Sequence, residues 1–217
     1  ELAPLQSEPA AQASRLKHVS VLFLDVVGST ALASQLDAED LQAVVDGLLT
    51  RCTAVVEAHR GRVLQYAGDS LLAVFGAERT EEDDAERAVR AGLALLAEGR
   101  LEGARVLQRH GHAGFDVRVG VHSGGVLLGG GVDTEGSIRG VTVHIAARME
   151  QTAPSGGLRI SRETYRQVRG MFEVEAQEPL AVKGLDEPIQ SYLVLRAKPR
   201  SFRIGTRGIE GVATRMI

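Results

Sequence analysis

The chain has 217 residues, 44% of them hydrophobic, and a formal net charge of −3. That content can bury one sizeable core, and the mild acidity argues against a domain that tracks nucleic-acid phosphates, which is usually strongly basic. A single cysteine, Cys52, excludes an internal disulfide or a multi-cysteine zinc site. With no apolar run of membrane-spanning length and no signal-peptide core, a soluble cytoplasmic protein is expected, without membrane insertion.

Residues 1–16 carry two prolines among alanines and small polar residues and read as a flexible leader. The chain begins with Glu1 rather than Met, as expected of a piece of a longer protein. Val19, Val21, Leu22, Phe23 and Leu24 then form a short apolar run that predicts a buried strand. Asp25 ends it, where a charge is costly unless it meets a partner or a metal. The small-residue turn Val26, Val27, Gly28, Ser29, Thr30 offers backbone N–H groups that could face a phosphate just ahead of a helix. An Asp that merely caps that helix is the plainer alternative.

Leu41, Val44, Val45, Leu48, Leu49, Cys52, Val55 and Val56 recur at helix spacing, which predicts a helix over 38–60 stopped by Gly61, with Cys52 in the core. Two strand-like runs within 62–75 flank Gly68 and Asp69 and predict a tight hairpin. Gly and Asp are ordinary turn residues. If the hairpin neighbours the first strand, however, Asp25 and Asp69 can share divalent ions, which usually bind through one or two carboxylates plus substrate phosphates.

A second helix is expected over 82–99, with Ala85, Ala88, Val89, Gly92, Leu95 and Leu96 inward and the pairs Asp83–Arg87 and Glu86–Arg90 on its solvent face. Residues 101–115 read as an irregular connection. Its His110 and His112 have no further ligands nearby and are expected in a solvated loop. A strand follows over 116–123. The glycine-rich 124–140 reads as a strand pair with a flexible excursion, without the strand–G-x-G-x-x-G–helix context of a dinucleotide site. A short helix over 141–152 ends at Pro154-Ser155-Gly156-Gly157. Beyond it a strand at 158–160, a helix at 162–168 and strands near 172–176, 180–182 and 189–195 complete the pattern.

FLDVVGST and AGDSLLAVF resemble the two metal-binding segments of the class III nucleotidyl cyclases. DVRVGVHSG at 116–124, VTVHIAARME at 141–150 and VKGLDEPIQSYLVL at 182–195 resemble three further blocks of that family, in its order. Five ordered blocks are far more specific than any one motif. The resemblance spans 17–196 and implies an α+β fold: a ferredoxin-like βαββαβ core with extra strands, in a mostly antiparallel sheet flanked by helices. It implies an adenylate cyclase that turns ATP, with GTP as a second candidate, into cyclic nucleotide and pyrophosphate. Two divalent cations, Mg²⁺ or Mn²⁺, and a homodimer with shared active sites come with it.

By the resemblance, Asp25 and Asp69 are the metal carboxylates, the Val26 carbonyl is an extra ligand, and Val27, Gly28, Ser29 and Thr30 form the phosphate cradle. Arg118 corresponds to an arginine on the terminal phosphates, and Lys183 to a lysine on the triphosphate. Arg148, from the other subunit, corresponds to the arginine that stabilises charge at the reacting phosphate. Two positions depart from the pattern: Gln65 stands where a base-reading lysine is usual, and His144 where an asparagine orients the ribose. The second base-reading position falls at Ser137. Modest activity and loose base selectivity are therefore expected. The alternative is a weak or silent cyclase-homology domain that binds nucleotide or dimerises to regulate an attached module. A diguanylate-producing relative is disfavoured, since the hairpin reads AGDS and no GGDEF-like turn is present. The basic, glycine-containing stretch 197–217 is expected to be a linker toward a downstream domain, a P-loop ATPase by the same resemblance.

Overall fold

The computed structural model describes residues 15–128, 138–182 and 187–199. The predicted apolar run is the centre of a longer strand, β1 (Arg15–Val27). Its lack of polar relief has a plain cause, because both faces are covered. Leu22, Leu24 and Val26 point into the larger core, while Val19 and Val21 point into a second one containing Val126 and Ala146. Asp25 lies in the odd-numbered series and so shares the face of the second core.

α1 (Ser29–Ala33) and α2 (Ala38–Ala58) follow, the latter capped by Asp37, whose Oδ1 accepts from the Asp40 N–H at 2.8 Å. Leu48, Leu49, Cys52 and Val56 are buried along the predicted stripe. Burial pushes the Cys52 thiol up to about 12, with Glu98 adding to the rise and Arg51 opposing it, so this cysteine is an inert core residue. β2 (Arg62–Ala67) and β3 (Ser70–Phe75) form the predicted hairpin, with Gly68 supplying a φ of 63° in its two-residue loop.

α3 (Asp84–His110) is eleven residues longer than its predicted end at residue 99. The inner stripe continues through Gly99, Glu102 and Val106, a glycine and a charge where apolar periodicity was sought. Gly103 admits the Phe115 carbonyl so closely that an added Cβ would lie 2.2 Å from it. Glu102 is buried because Arg51 and Arg105 both reach it. The irregular connection expected over 101–115 thus shrinks to the few residues after Gly111, and His112 is buried rather than solvated. The two predicted pairs form, Arg87 Nε to Asp83 at 3.1 Å and Arg90 Nε to Glu86 at 2.7 Å.

β4 (Asp116–Leu128) runs antiparallel to β1 over its whole length, with β5 (Ile138–Arg139) paired to its end. α4 (Val141–Gln151), β6 (Leu158–Ser161), α5 (Arg162–Gln167), β7 (Phe172–Leu180) and β8 (Ile189–Ala197) follow. The separate strand expected at 180–182 is instead the end of β7, reached through a register shift between Gln177 and Leu180. β1 and β8 also extend slightly past the expected domain limits of 17 and 196.

The eight strands form one sheet in the order β2-β3-β1-β4-β6-β8-β7, with β5 beside β4. The run β2-β3-β1-β4 is the ferredoxin-like arrangement, two βαβ units each split by a strand of the other. Among the described strands only β4 and β6 pair in parallel, so the α+β, mostly antiparallel expectation holds. α2 and α3 cover one face with the larger core, and α4 packs on the other.

A buried polar seam ties β1, β4, β6 and α5 together. Ser20 and Ser123 hydroxyls lie 2.8 Å apart, Ser123 and Thr164 3.1 Å, and the His122 Nδ1 is 2.7 Å from the Ser161 hydroxyl. Burial lowers the His122 pKa to about 4, against the pull of Glu163 and with some help from His18. The folded state therefore keeps a neutral ring that the unfolded chain protonates below about pH 6.5. This stability is present above pH 6.5 and is lost as pH falls through 4, a contribution on the order of 3 kcal/mol. Denaturant unfolding from pH 7 to 4 should show it: His122→Gln should be less stable at pH 7 yet lose less stability on acidification than wild type. Parallel pH profiles for the two proteins would contradict this account.

Candidate active site

The hairpin brings its turn to the end of β1, because Asp25 pairs directly with Ser70 across the β1–β3 ladder and Asp69 precedes Ser70. The Ser70 hydroxyl donates to Asp25 Oδ1 at 2.8 Å. On the turn after β1, the Ser29 hydroxyl donates to Asp69 Oδ2 at 2.5 Å and so ties that turn to the hairpin. Gly28 shapes this turn with φ 84°, and a Cβ there would sit 2.6 Å from the Gly114 carbonyl oxygen. Asp25, Asp69, Val27, Gly28 and Ser29 are half-buried, Thr30 is exposed and Val26 is buried.

Arg118 lies across from Asp25 on β4. Its Nη2 and Nε donate to Asp25 Oδ2 at 2.7 and 3.1 Å, and its Nη1 donates to the Gln151 carbonyl at 3.3 Å. The residue expected to meet terminal phosphates thus rests on a carboxylate expected to hold metal. Its other neighbour is Glu150, whose Oε1 is 2.7 Å from Arg118 Nε. Glu150 is only 7% exposed, and its ion pair with Arg118 is not completed by a well-aligned hydrogen bond at Oε1. Burial, with the nearby Asp25 charge, raises the Glu150 pKa to about 7, although Arg118 pulls it down. For Arg118 burial works against the charge, but bonds to Asp25 and the charge of Glu150 outweigh it, so its pKa is raised.

α4 carries two sets of groups on opposite sides. At about 100° per residue, His144 and Arg148 are about 40° apart, whereas Glu150 is turned about 200° from Arg148. His144 and Arg148 are exposed, while Glu150 is buried toward Arg118. The close packing that permits this lies at Gly120 of β4. A Cβ there would lie 2.0 Å from the Glu150 backbone nitrogen and 2.7 Å from the Ala146 carbonyl oxygen.

Gln65 is exposed on β2, just past a register irregularity and four residues before Asp69. Ser137 and Lys183 lie outside the described residues. Sequence reasoning assigned no part to Glu150, Gly120 or Ser70. All three lie inside the family-like blocks, and nothing in their spacing reveals which neighbours they face. Among the described residues, three carboxylate oxygens converge within 4.8 Å only at Glu81, Asp83 and Asp84. That group is apart from Asp25 and is neutralised by Arg87 and Arg60.

The residues present fit hard divalent cations. Two half-buried carboxylates lie at neighbouring turns of the sheet, each holding a serine hydroxyl, and one already draws a cationic group onto itself. Soft ligands are absent from this cluster.

The sequence pattern described as the adenylate and guanylate cyclase catalytic domain matches residues 11–196. The chain belongs to that family, the class III nucleotidyl cyclases. An adenylate cyclase of Mycobacterium tuberculosis is 29% identical over 190 residues, covering 85% of this chain and 41% of that protein. The adenylyl cyclase CyaB from P. aeruginosa superposes with a TM-score of 0.81 at 27% identity, covering 86% of this chain and 97% of that one. The guanylate cyclase domain of RhGC from Catenaria anguillulae, solved in complex with GTP, gives 0.72 at 27% identity, covering 85% and 100%. Against curated relatives the chain spans a smaller share, 26% of a soluble guanylate cyclase, gcy-31, of Caenorhabditis elegans. No described helix is long and apolar enough to cross a membrane.

Gly120→Ala should push α4 off the sheet, because the added methyl meets backbone rather than a movable side chain. A cost of about 1–3 kcal/mol is expected for such overpacking, a fall in Tm of about 3–10 °C in a domain of this size. Thermal melts read this directly. An unchanged Tm would mean that α4 does not rest on Gly120.

Proposed function

We propose that this domain is an adenylate cyclase with loose base selectivity, acting as a homodimer with shared sites. The reaction is attack of the ribose 3′-oxygen on the α-phosphorus of ATP with loss of pyrophosphate. The observation that carries the reading is the division of groups across α4. Asp25, Asp69 and Arg118 gather on its inner side, and Arg148 and His144 face outward. One chain alone therefore holds two unlike half-sites, and a second copy completes each.

In this reading Asp25 and Asp69, with the Val26 carbonyl, hold two Mg²⁺ or Mn²⁺ ions, which would polarise phosphate oxygens and acidify the 3′-hydroxyl. Val27 to Thr30 cradle the triphosphate with backbone N–H groups, and Arg118 and Lys183 neutralise its outer charge. Arg148 of the partner stabilises charge at the α-phosphate, a contribution of several kcal/mol for a well-placed donor. Gln65 and Ser137 read the base. A glutamine amide both donates and accepts, so it pairs with either purine edge and rejects GTP only weakly. The cyclase residues 17–196 would then be one catalytic module of a longer protein. Gln65 and His144 favour a second reading, a silent domain that dimerises to regulate an attached module.

Assay of purified protein with Mn²⁺ and ATP or GTP separates the two, and complementation tests the shared site. Asp25→Ala and Arg148→Ala should each be inactive. Mixed equally, they should recover about a quarter of wild-type activity, since half the dimers are mixed and each keeps one intact site. A mixture that stays silent while the chains exchange would rule the shared site out. His144 gives a further test. If its ring holds the ribose poorly, His144→Asn should raise kcat about tenfold or more with KM nearly unchanged, a gain confined to the transition state. Equal kcat values would assign the ribose to other groups.

A further inference from the structure

Arg118 faces two carboxylates and serves them unequally. Asp25 receives its Nε–H and an Nη2–H, while Glu150 stands 2.7 Å from the same Nε as an ion pair without a well-aligned hydrogen bond at its Oε1. Both N–H groups fall on Asp25 Oδ2, while Oδ1 takes only the Ser70 hydroxyl, so a cation that claims Oδ2 competes with the guanidinium for it. A displaced, part-buried guanidinium needs another counter-ion, because an unpaired buried charge is strongly destabilising. Glu150 is already within reach. Moving Arg118 onto it requires redirecting an N–H rather than carrying the side chain to a new place, and the Gln151 carbonyl on the same helix end already accepts from Nη1.

We propose that Glu150 is a positioning residue that takes over Arg118 when divalent cations claim Asp25, so that cation entry at Asp25 depends on the Arg118–Glu150 pair. The proposal rests on the reading of Asp25 and Asp69 as cation ligands. Glu150 touches neither substrate nor cation; it acts through Arg118. With Glu150 holding one edge of the guanidinium, Arg118 stays beside the cations with its remaining N–H groups available to a triphosphate, rather than swinging into solvent. The burial of Glu150 keeps water from satisfying its oxygen and so maintains its demand for Arg118.

The test is Mn²⁺ binding without nucleotide, read from the electron paramagnetic resonance of free Mn²⁺. It compares wild type, Glu150→Gln, Arg118→Ala and the double variant, each checked for folding by circular dichroism. Glu150→Gln should weaken Mn²⁺ binding about fivefold to tenfold when Arg118 is present, because the guanidinium then has only Asp25 to hold it. In the Arg118→Ala background the same substitution should cost less than about twofold. Glu150→Asp, with the charge one methylene short, should fall between wild type and Glu150→Gln, and it serves in the same cycle if Glu150→Gln fails to fold. Equal losses in both backgrounds would mean that Glu150 attracts the cation directly, and no loss in either would mean that it is a structural group only; both overturn the proposal. A wild type that binds no Mn²⁺ and makes no cyclic product fails the cyclase reading itself. A wild type that does both while the cycle shows no coupling fails this proposal alone.

Discussion

The site depends on how closely α4 lies on β4. Gly120 has no side chain, and in the space a Cβ would fill sit the Glu150 backbone nitrogen and the Ala146 carbonyl. Because the helix touches the strand backbone, its inner residues reach groups at the strand ends, and Glu150 meets Arg118 two residues before Gly120. A side chain at Gly120 would hold the helix off, and the carboxylate would lose the guanidinium. Helix position, not any single polar bond, therefore sets which charges meet. The outward face follows from the same contact. Once Glu150 is fixed inward, helical geometry places Arg148 and His144 on the far side.

Charge balance then constrains the inner half-site. Asp25, Asp69 and Glu150 carry negative charge near one end of the sheet, and among the described residues Arg118 pairs with Asp25 and Glu150. Burial of Glu150, with the nearby Asp25 charge, raises its pKa to about 7, against the pull of Arg118. Among the described residues this cluster has more carboxylates than cations, which in the proposed reading would suit it to divalent ions arriving with an anionic triphosphate. Deep burial of a satisfied ion pair would not do this. The Glu81, Asp83 and Asp84 group makes the contrast: its carboxylates are already matched by Arg87 and Arg60, and nothing in its geometry asks for a further ligand.

The fold was legible in the sequence wherever one residue class dominated a face. The apolar run of β1, the stripe of α2 and the Gly68-Asp69 turn each sit within a few residues of where patterning places them. The misses share a cause. α3 continues beyond residue 99 because small residues and a paired charge can line a helix as well as leucines do, and hydrophobic periodicity does not see Gly99, Glu102 or Gly103. Asp25 was legible because a charge after five apolar residues is costly. Glu150 was not, since a glutamate near a helix end is ordinary until its neighbour across the sheet is known. Partners such as Ser29 with Asp69, forty residues apart, are likewise set by topology rather than spacing.

The same limit explains why base choice is hard to read from one chain. Gln65 lies exposed on β2 and His144 exposed on α4, so neither is shaped by its own subunit's packing. Relatives at nearly equal identity include both adenylate and guanylate cyclases, so overall likeness does not separate the substrates. Discrimination of purines rests on one or two hydrogen bonds, each worth about 1 kcal/mol when neutral. Such bonds gain strength only where water is excluded. For an exposed strand in the proposed dimer, that exclusion would come from the facing copy. In the proposed dimer, selectivity would then depend on how tightly two copies close over the base, with Gln65 able to donate and to accept there.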